Sequence, residues 1–187
     1  MATTKNNVIV KGASGKFGRQ IVFSQRAGKT IMSKPPVRTA PPTTKQKEQQ
    51  AKFARAAAYA KNALLDPSLK ADYTAEAKKR QDVSAYNMAM TDYLRPPVIT
   101  EVNHSAYTGT ATNQKIIIEV ADTFKVTAVK VQIEDADESP VEQGNATLIE
   151  GKWTYTTTAT NASIAGDKII ITATDRPGNT TKKEITL

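Results

Sequence analysis

The chain has 187 residues and a mass of 20.3 kDa, with 26 Lys and Arg, 18 Asp and Glu, one His and no Cys. Without cysteine there is no disulfide framework, thiolate metal site or cysteine nucleophile, and the single His104 rules out multi-histidine metal sites. The net charge of +8 hides an asymmetry: residues 1–95 carry 18 basic and 6 acidic residues, and the remainder 8 basic and 12 acidic.

Residues 1–42 read as a basic β-hairpin arm followed by a proline-rich connector. Lys5, Lys11, Lys16, Arg19, Arg26, Lys29, Lys34 and Arg38 fall in the first 41 residues, with no acid among them. Val8-Ile9-Val10, Gln20-Ile21-Val22-Phe23 and Thr30-Ile31-Met32 predict short strands, with Ala27-Gly28 as the hairpin turn. So little apolar material cannot build a core alone, so the arm must lean on something else. Pro35-Pro36 and Pro41-Pro42 bracket an extended connector.

Residues 43–95 predict a helical hairpin. Thr43 or Thr44 can cap the first helix, and Phe53, Ala57, Ala60 and Leu64 form one apolar stripe. Asp66-Pro67 ends that helix, and a second is expected from about Thr74 to Leu94, with Val83, Tyr86, Met90 and Tyr93 on one face. Alanine buries little area, so this unit is expected to pack on the arm, on another chain, or on both.

Residues 98–187 predict seven strands: Val98–Asn103, Lys115–Ala121, Lys125–Ile133, Ala146–Glu150, Lys152–Thr158, Lys168–Thr174 and Thr181–Leu187. Turn residues such as Gly109, Gly144-Asn145, Glu150-Gly151 and Arg176-Pro177-Gly178-Asn179 separate them, which is the pattern of a β-sandwich. The fold class expected is α+β. The Trp153-Thr-Tyr155 strand, the run from Gly166-Asp167 to Asp175, and the closing hairpin before Glu184-Ile-Thr-Leu187 resemble a bacterial immunoglobulin-like domain. Both core cysteines of the antibody pattern are missing, and Trp153 falls in a later strand than the antibody tryptophan. The resemblance implies adhesion, spacing or assembly instead of chemistry. The front segment, from Gly15-Lys-Phe-Gly18 to Pro35, resembles the N-termini of small proteins from Bacteroidota, which implies no mechanism.

Several motifs suggest chemistry and then fail on context. Val8 to Val22, with Gly12, Gly15 and Gly18, looks like the dinucleotide-binding turn of short-chain dehydrogenases, but no βαβ alternation or Tyr-x-x-x-Lys pair follows. Ala27-Gly28-Lys29-Thr30 mimics the end of a phosphate loop, but the first glycine that loop needs is replaced by Phe23. His104 stands beside Ser105 with nothing marking a triad. Glu134, Asp135, Asp137 and Glu138 could bind calcium, but they lack the spacing and glycine of a known calcium loop, so they read as a solvated acidic turn.

The expected function is therefore that of a non-enzymatic structural protein that self-assembles, as a filament, surface array or virus-like component. The arm would dock on a neighbouring copy through Val8, Ile9, Val10, Ile21, Val22, Phe23 and Ile31, with Arg19, Arg26 and Lys29 facing a partner's Glu134, Asp135, Asp137 and Glu138. The alternative is non-specific binding of nucleic-acid phosphates by residues 1–95. No cofactor, metal or small-molecule substrate is expected, and no apolar run is long enough to span a bilayer. The polar N-terminus lacks a signal-peptide core, which predicts synthesis in the cytoplasm and any release as part of a virus-like or extracellular assembly.

Overall fold

The computed structural model describes residues 2–4, 9–26, 28–37 and 40–187. Val8 and Ala27, along with Lys5 and Arg38, lie outside the described residues. Within them are three helices and three antiparallel sheets. No described helix is long and apolar enough to cross a membrane.

The arm forms a sheet of four short strands in the order β1-β4-β3-β2: β1 (Ala2–Thr4), β2 (Gly15–Phe17), β3 (Ile21–Arg26) and β4 (Lys29–Ser33). The β3–β4 hairpin forms where expected, closing with Arg26 opposite Lys29. Ile9 and Val10 do not form a strand. They lie in a turn that closes from Ala13 N–H to Val10 C=O. Thr30 Oγ1 accepts from Gly12 N–H, and Gln25 Nε2 donates to Ala13 C=O, pinning this turn across the hairpin. The hairpin is flanked instead by β1 and β2, and β2 holds a single large apolar residue, Phe17, and so leaves no alternating pattern to read.

The expected pair of helices is three: α1 (Thr44–Ala63), α2 (Pro67–Lys78) and α3 (Ala85–Leu94). Thr43 and Gln46 form a reciprocal capping box at the start of α1. The Asp66 carboxylate caps Ser68 and Leu69 N–H, so α2 starts at Pro67, well before Thr74. It stops after Lys78 because Asp82 takes a φ of 58° and Ser84 caps a new helix through Asn87 N–H. On α1 the buried positions are Ala56, Ala60 and Ala63, while Phe53 is exposed, a rotation of the expected stripe by about one residue. Ala60 and Ala63 make a small helical core with Tyr73, Ala77, Met88 and Ala89.

The remainder forms two four-stranded antiparallel sheets. One has the order β5-β6-β10-β9, from β5 (Val98–Asn103), β6 (Lys115–Ala121), β9 (Thr147–Ile149) and β10 (Lys152–Thr156). The other runs β12-β11-β7-β8, from β7 (Val126–Glu134), β8 (Pro140–Asn145), β11 (Lys168–Asp175) and β12 (Thr180–Thr186). Ile99, Ile116, Ile118 and Tyr155 of the first sheet share one core with Val129, Val131, Ile133, Ile169, Ile171 and Ala173 of the second.

The eighth strand, β8, is the correction to the expected seven. Its Gly144 reads as a turn residue in sequence, yet a Cβ there would lie 2.9 Å from the Tyr155 ring of the opposite sheet. Glycine in this strand serves close packing. Tyr155 in turn donates to Glu142 of β8, whose Oε2 also accepts from Thr158 and Ala159 N–H. Burial and that carboxylate push the Tyr155 pKa up to about 12.

Candidate functional site

The arm is the first candidate surface, and strand register sorts its side chains. Phe23 stands opposite Met32 and Phe17 opposite Ile21, so Phe17, Ile21, Phe23 and Met32 share one face. Val22 and Ile31 lie on the other face, with Lys16, Arg26 and Lys29. The residues expected to act as one interface are thus divided between two. Ile21, Val22, Phe23, Ile31 and Met32 are each only half-buried, Ile9 is 92% exposed, and none of them joins either hydrophobic core. Lys11, Lys16, Arg19, Arg26, Lys29 and Lys34 are all exposed, and none takes part in an ion pair among the described residues.

In the acidic turn each carboxylate is met from within the chain. Glu134 accepts from Gln132, Asp137 from Ser139 N–H, and Glu138 pairs with Lys168 at 2.7 Å. Asp135 caps Ala136 N–H and faces the carboxyl of Asp167, a fully buried residue held by the Asn161 amide. Burial, opposed by Asn161 and reinforced by Asp135, raises the Asp167 pKa above its ordinary 3.8. A raised folded-state value means stability that is present at low pH and lost as pH rises through that value. Asp167→Asn keeps an acceptor for Asn161 and offers Asp135 a donor. It is therefore expected to raise the thermal midpoint at neutral pH by a few degrees, with the gain fading on acidification. An equal gain at all pH values would refute the assignment.

Among the described residues, none of the arm belongs to the helical core. The helical unit meets one end of the two-sheet unit. Phe124, from the β6–β7 loop, stacks on Tyr73 of α2 with ring centroids 4.6 Å apart. Arg176, after β11, covers Phe124 at 4.7 Å and reaches Asp72 of α2 at 3.0 Å. Asn179 donates to the Tyr93 carbonyl at the end of α3 and to the Asp175 carboxylate. Thr181 bonds the Pro97 carbonyl. Four residues of the β-unit thus hold two helices and the linker.

At the centre of this junction Asp92, Asp122 and Asp175 each place a carboxylate oxygen within 4.8 Å of the other two. Asp92 is fully buried, and its Oδ2 accepts from Tyr73 at 2.6 Å, which leaves Tyr59 to donate to Tyr73 at 3.0 Å. Burial, opposed by Tyr73 and reinforced by the two other carboxylates, pushes the Asp92 pKa up to about 6. Burial likewise raises that of Asp175, against the donors of Asn179. Three ionised carboxylates this close repel by about 4 kcal/mol per pair at an effective dielectric of about 20. Asp92 Oδ1, Asp122 Oδ1 and Arg176 Nη1 are buried without hydrogen-bond partners.

This cluster was missed in the sequence because its members are far apart in the chain, although part of it is legible. Ile169, Ile171, Ala173 and Asp175 are alternating buried positions of β11, and Met88, Ala89 and Asp92 share the buried face of α3. An acid that continues an apolar pattern is the available signal. No protein-family model matches the chain, and neither a curated protein nor a solved structure matches it.

Proposed function

We propose that the chain is a non-enzymatic structural protein that self-assembles through its arm and displays an immunoglobulin-like β-sandwich. The observation that carries this reading is the arm sheet, whose apolar face of Phe17, Ile21, Phe23 and Met32 joins neither core. Its edge strand β2 pairs on one side with β3, and Phe17 is 73% exposed. A short sheet of this kind gains stability by burying its apolar face, or by adding its edge strands to a neighbour's sheet. Two antiparallel sheets around one core support the immunoglobulin-like reading of residues 98–187.

The expected result is that deleting residues 1–35, or substituting Phe23→Asp, reduces the assembly to single chains by light scattering. The far-ultraviolet signal of the helices would remain. Assemblies of unchanged size in both variants would dismiss this reading.

Six exposed arm cations outside any described ion pair favour a second reading, phosphate binding by residues 1–95. It requires duplex DNA to be retarded in electrophoresis at low salt, with retardation fading steeply toward physiological salt. No retardation at low salt would remove it.

A further inference from the structure

We infer that Asp92, Asp122 and Asp175 form a binding site for a divalent cation of the calcium class, which clamps α3 to the β-unit. Their oxygens lie within 4.8 Å of one another. Calcium, with six to eight oxygen ligands at roughly 2.3–2.6 Å in flexible geometry, accepts an irregular carboxylate set, whereas magnesium, at about 2.0–2.1 Å, demands a near-ideal octahedron. The donors are carboxylates alone, which suit a hard cation.

A second observation points to the ligand. Asp92 is fully buried, Tyr73 occupies its Oδ2, and its Oδ1 has no hydrogen-bond partner within a cluster of like charge. Asp122 Oδ1 is buried and unpartnered as well. A buried anionic oxygen without a donor is stable only beside a positive charge or a proton. Arg176 is close, but it brings one charge to three carboxylates and donates to Asp72 outside the cluster.

The surrounding groups hold the carboxylates in place as supporting residues hold metal ligands. Asn179 donates to both Asp175 oxygens, Tyr73 to Asp92, and Phe124 N–H to Asp122 Oδ2. Asp122 also lines an open groove of about 450 Å³ with Leu94, Arg95, Pro96 and Val98. The three ligands come from α3, from the residue after β6 and from the end of β11, so one ion would join three segments.

The test uses the full-length chain after treatment with a chelator. Calcium chloride at a hundredfold excess over its Kd should raise the thermal midpoint by roughly 5–10 °C, and magnesium chloride by less. Asp122→Asn, which at this partly buried position keeps an acceptor for Phe124 N–H, should abolish the calcium shift, while Glu138→Gln in the acidic turn should keep it. Terbium bound at the site should luminesce through the neighbouring Tyr73, and calcium should quench that signal by displacement in the parent chain. A midpoint unmoved by millimolar calcium would overturn the assignment. So would a shift that survives Asp122→Asn or disappears with Glu138→Gln.

Discussion

Gly109→Ala is expected to destabilise the chain by about 2–5 kcal/mol, because two separate costs meet at one residue. Gly109 is buried and holds a φ of +73°, a left-handed conformation that costs an L-residue about 1–2 kcal/mol. A Cβ there would also stand 2.7 Å from the Asn161 carbonyl oxygen and 2.7 Å from Ile164 Cγ2. Neither neighbour moves cheaply. Asn161 N–H donates to the Gly109 carbonyl at 2.8 Å, and its side chain holds the buried Asp167. Overpacking of this kind adds about 1–3 kcal/mol. Gly151 supplies the control, since it has a φ of +81° with nothing within 4 Å of its would-be Cβ. Gly151→Ala should therefore cost the conformational part alone, about 1–2 kcal/mol. Urea denaturation of the two variants separates the terms, and equal losses would rule out the steric account.

The second large effect is expected at Tyr73, the fully buried side chain on which the helix–sheet junction turns. Tyr73→Phe keeps the ring against Phe124 but removes the 2.6 Å donor to Asp92. That leaves both oxygens of a buried carboxyl without a donor and should cost about 1–3 kcal/mol. Tyr73→Ala also opens a cavity beneath Phe124 and Arg176, for a loss of about 3–5 kcal/mol. A double-mutant cycle isolates the hydroxyl. In an Asp92→Ala background Tyr73→Phe should cost less than in the parent, by about 0.5–3 kcal/mol. Strict additivity would show that the hydroxyl–carboxylate contact contributes nothing of its own.

These effects lie at positions where local sequence rules and tertiary packing conflict. Seven of the eight strands of the C-terminal half follow from alternation and turn residues, because half-buried antiparallel strands carry a period of two. β8 escaped since the Gly144 that looks like punctuation makes room for Tyr155, a contact made across the two sheets. The cap at Thr43 and the proline that opens α2 after Asp66 are local chemistry and could be read from sequence, as could the β3–β4 hairpin. The break before α3 depends on Asp82 adopting a positive φ, which residue type suggests only weakly. The turn at Ile9 and Val10 depends on the side chains of Thr30 and Gln25, which close over it from the hairpin.

The candidate carboxylate cluster shows the same division. A buried aspartate stands at each end of the β11 core face, Asp167 just before the strand and Asp175 as its last residue, and simple alternation places both inward. Alternation does not reveal which residues meet them. Asp167 is met by Asn161 and Asp135, and Asp175 by Asp92 and Asp122, through loops and a helix brought together only by docking.

By itself the sequence determined a basic front half whose arm has too little apolar surface to enclose a core, and an acidic half rich in alternating strands. Those are properties of composition and short-range periodicity, and they survive any arrangement of the parts. The tertiary structure decided that the helices pack on the end of the β-unit, that the arm's apolar residues divide between two faces, and that three distant aspartates share one small volume. Burial makes that last decision consequential. Charges harmless when separated and solvated must find a cation, a proton or a donor once packing removes the water.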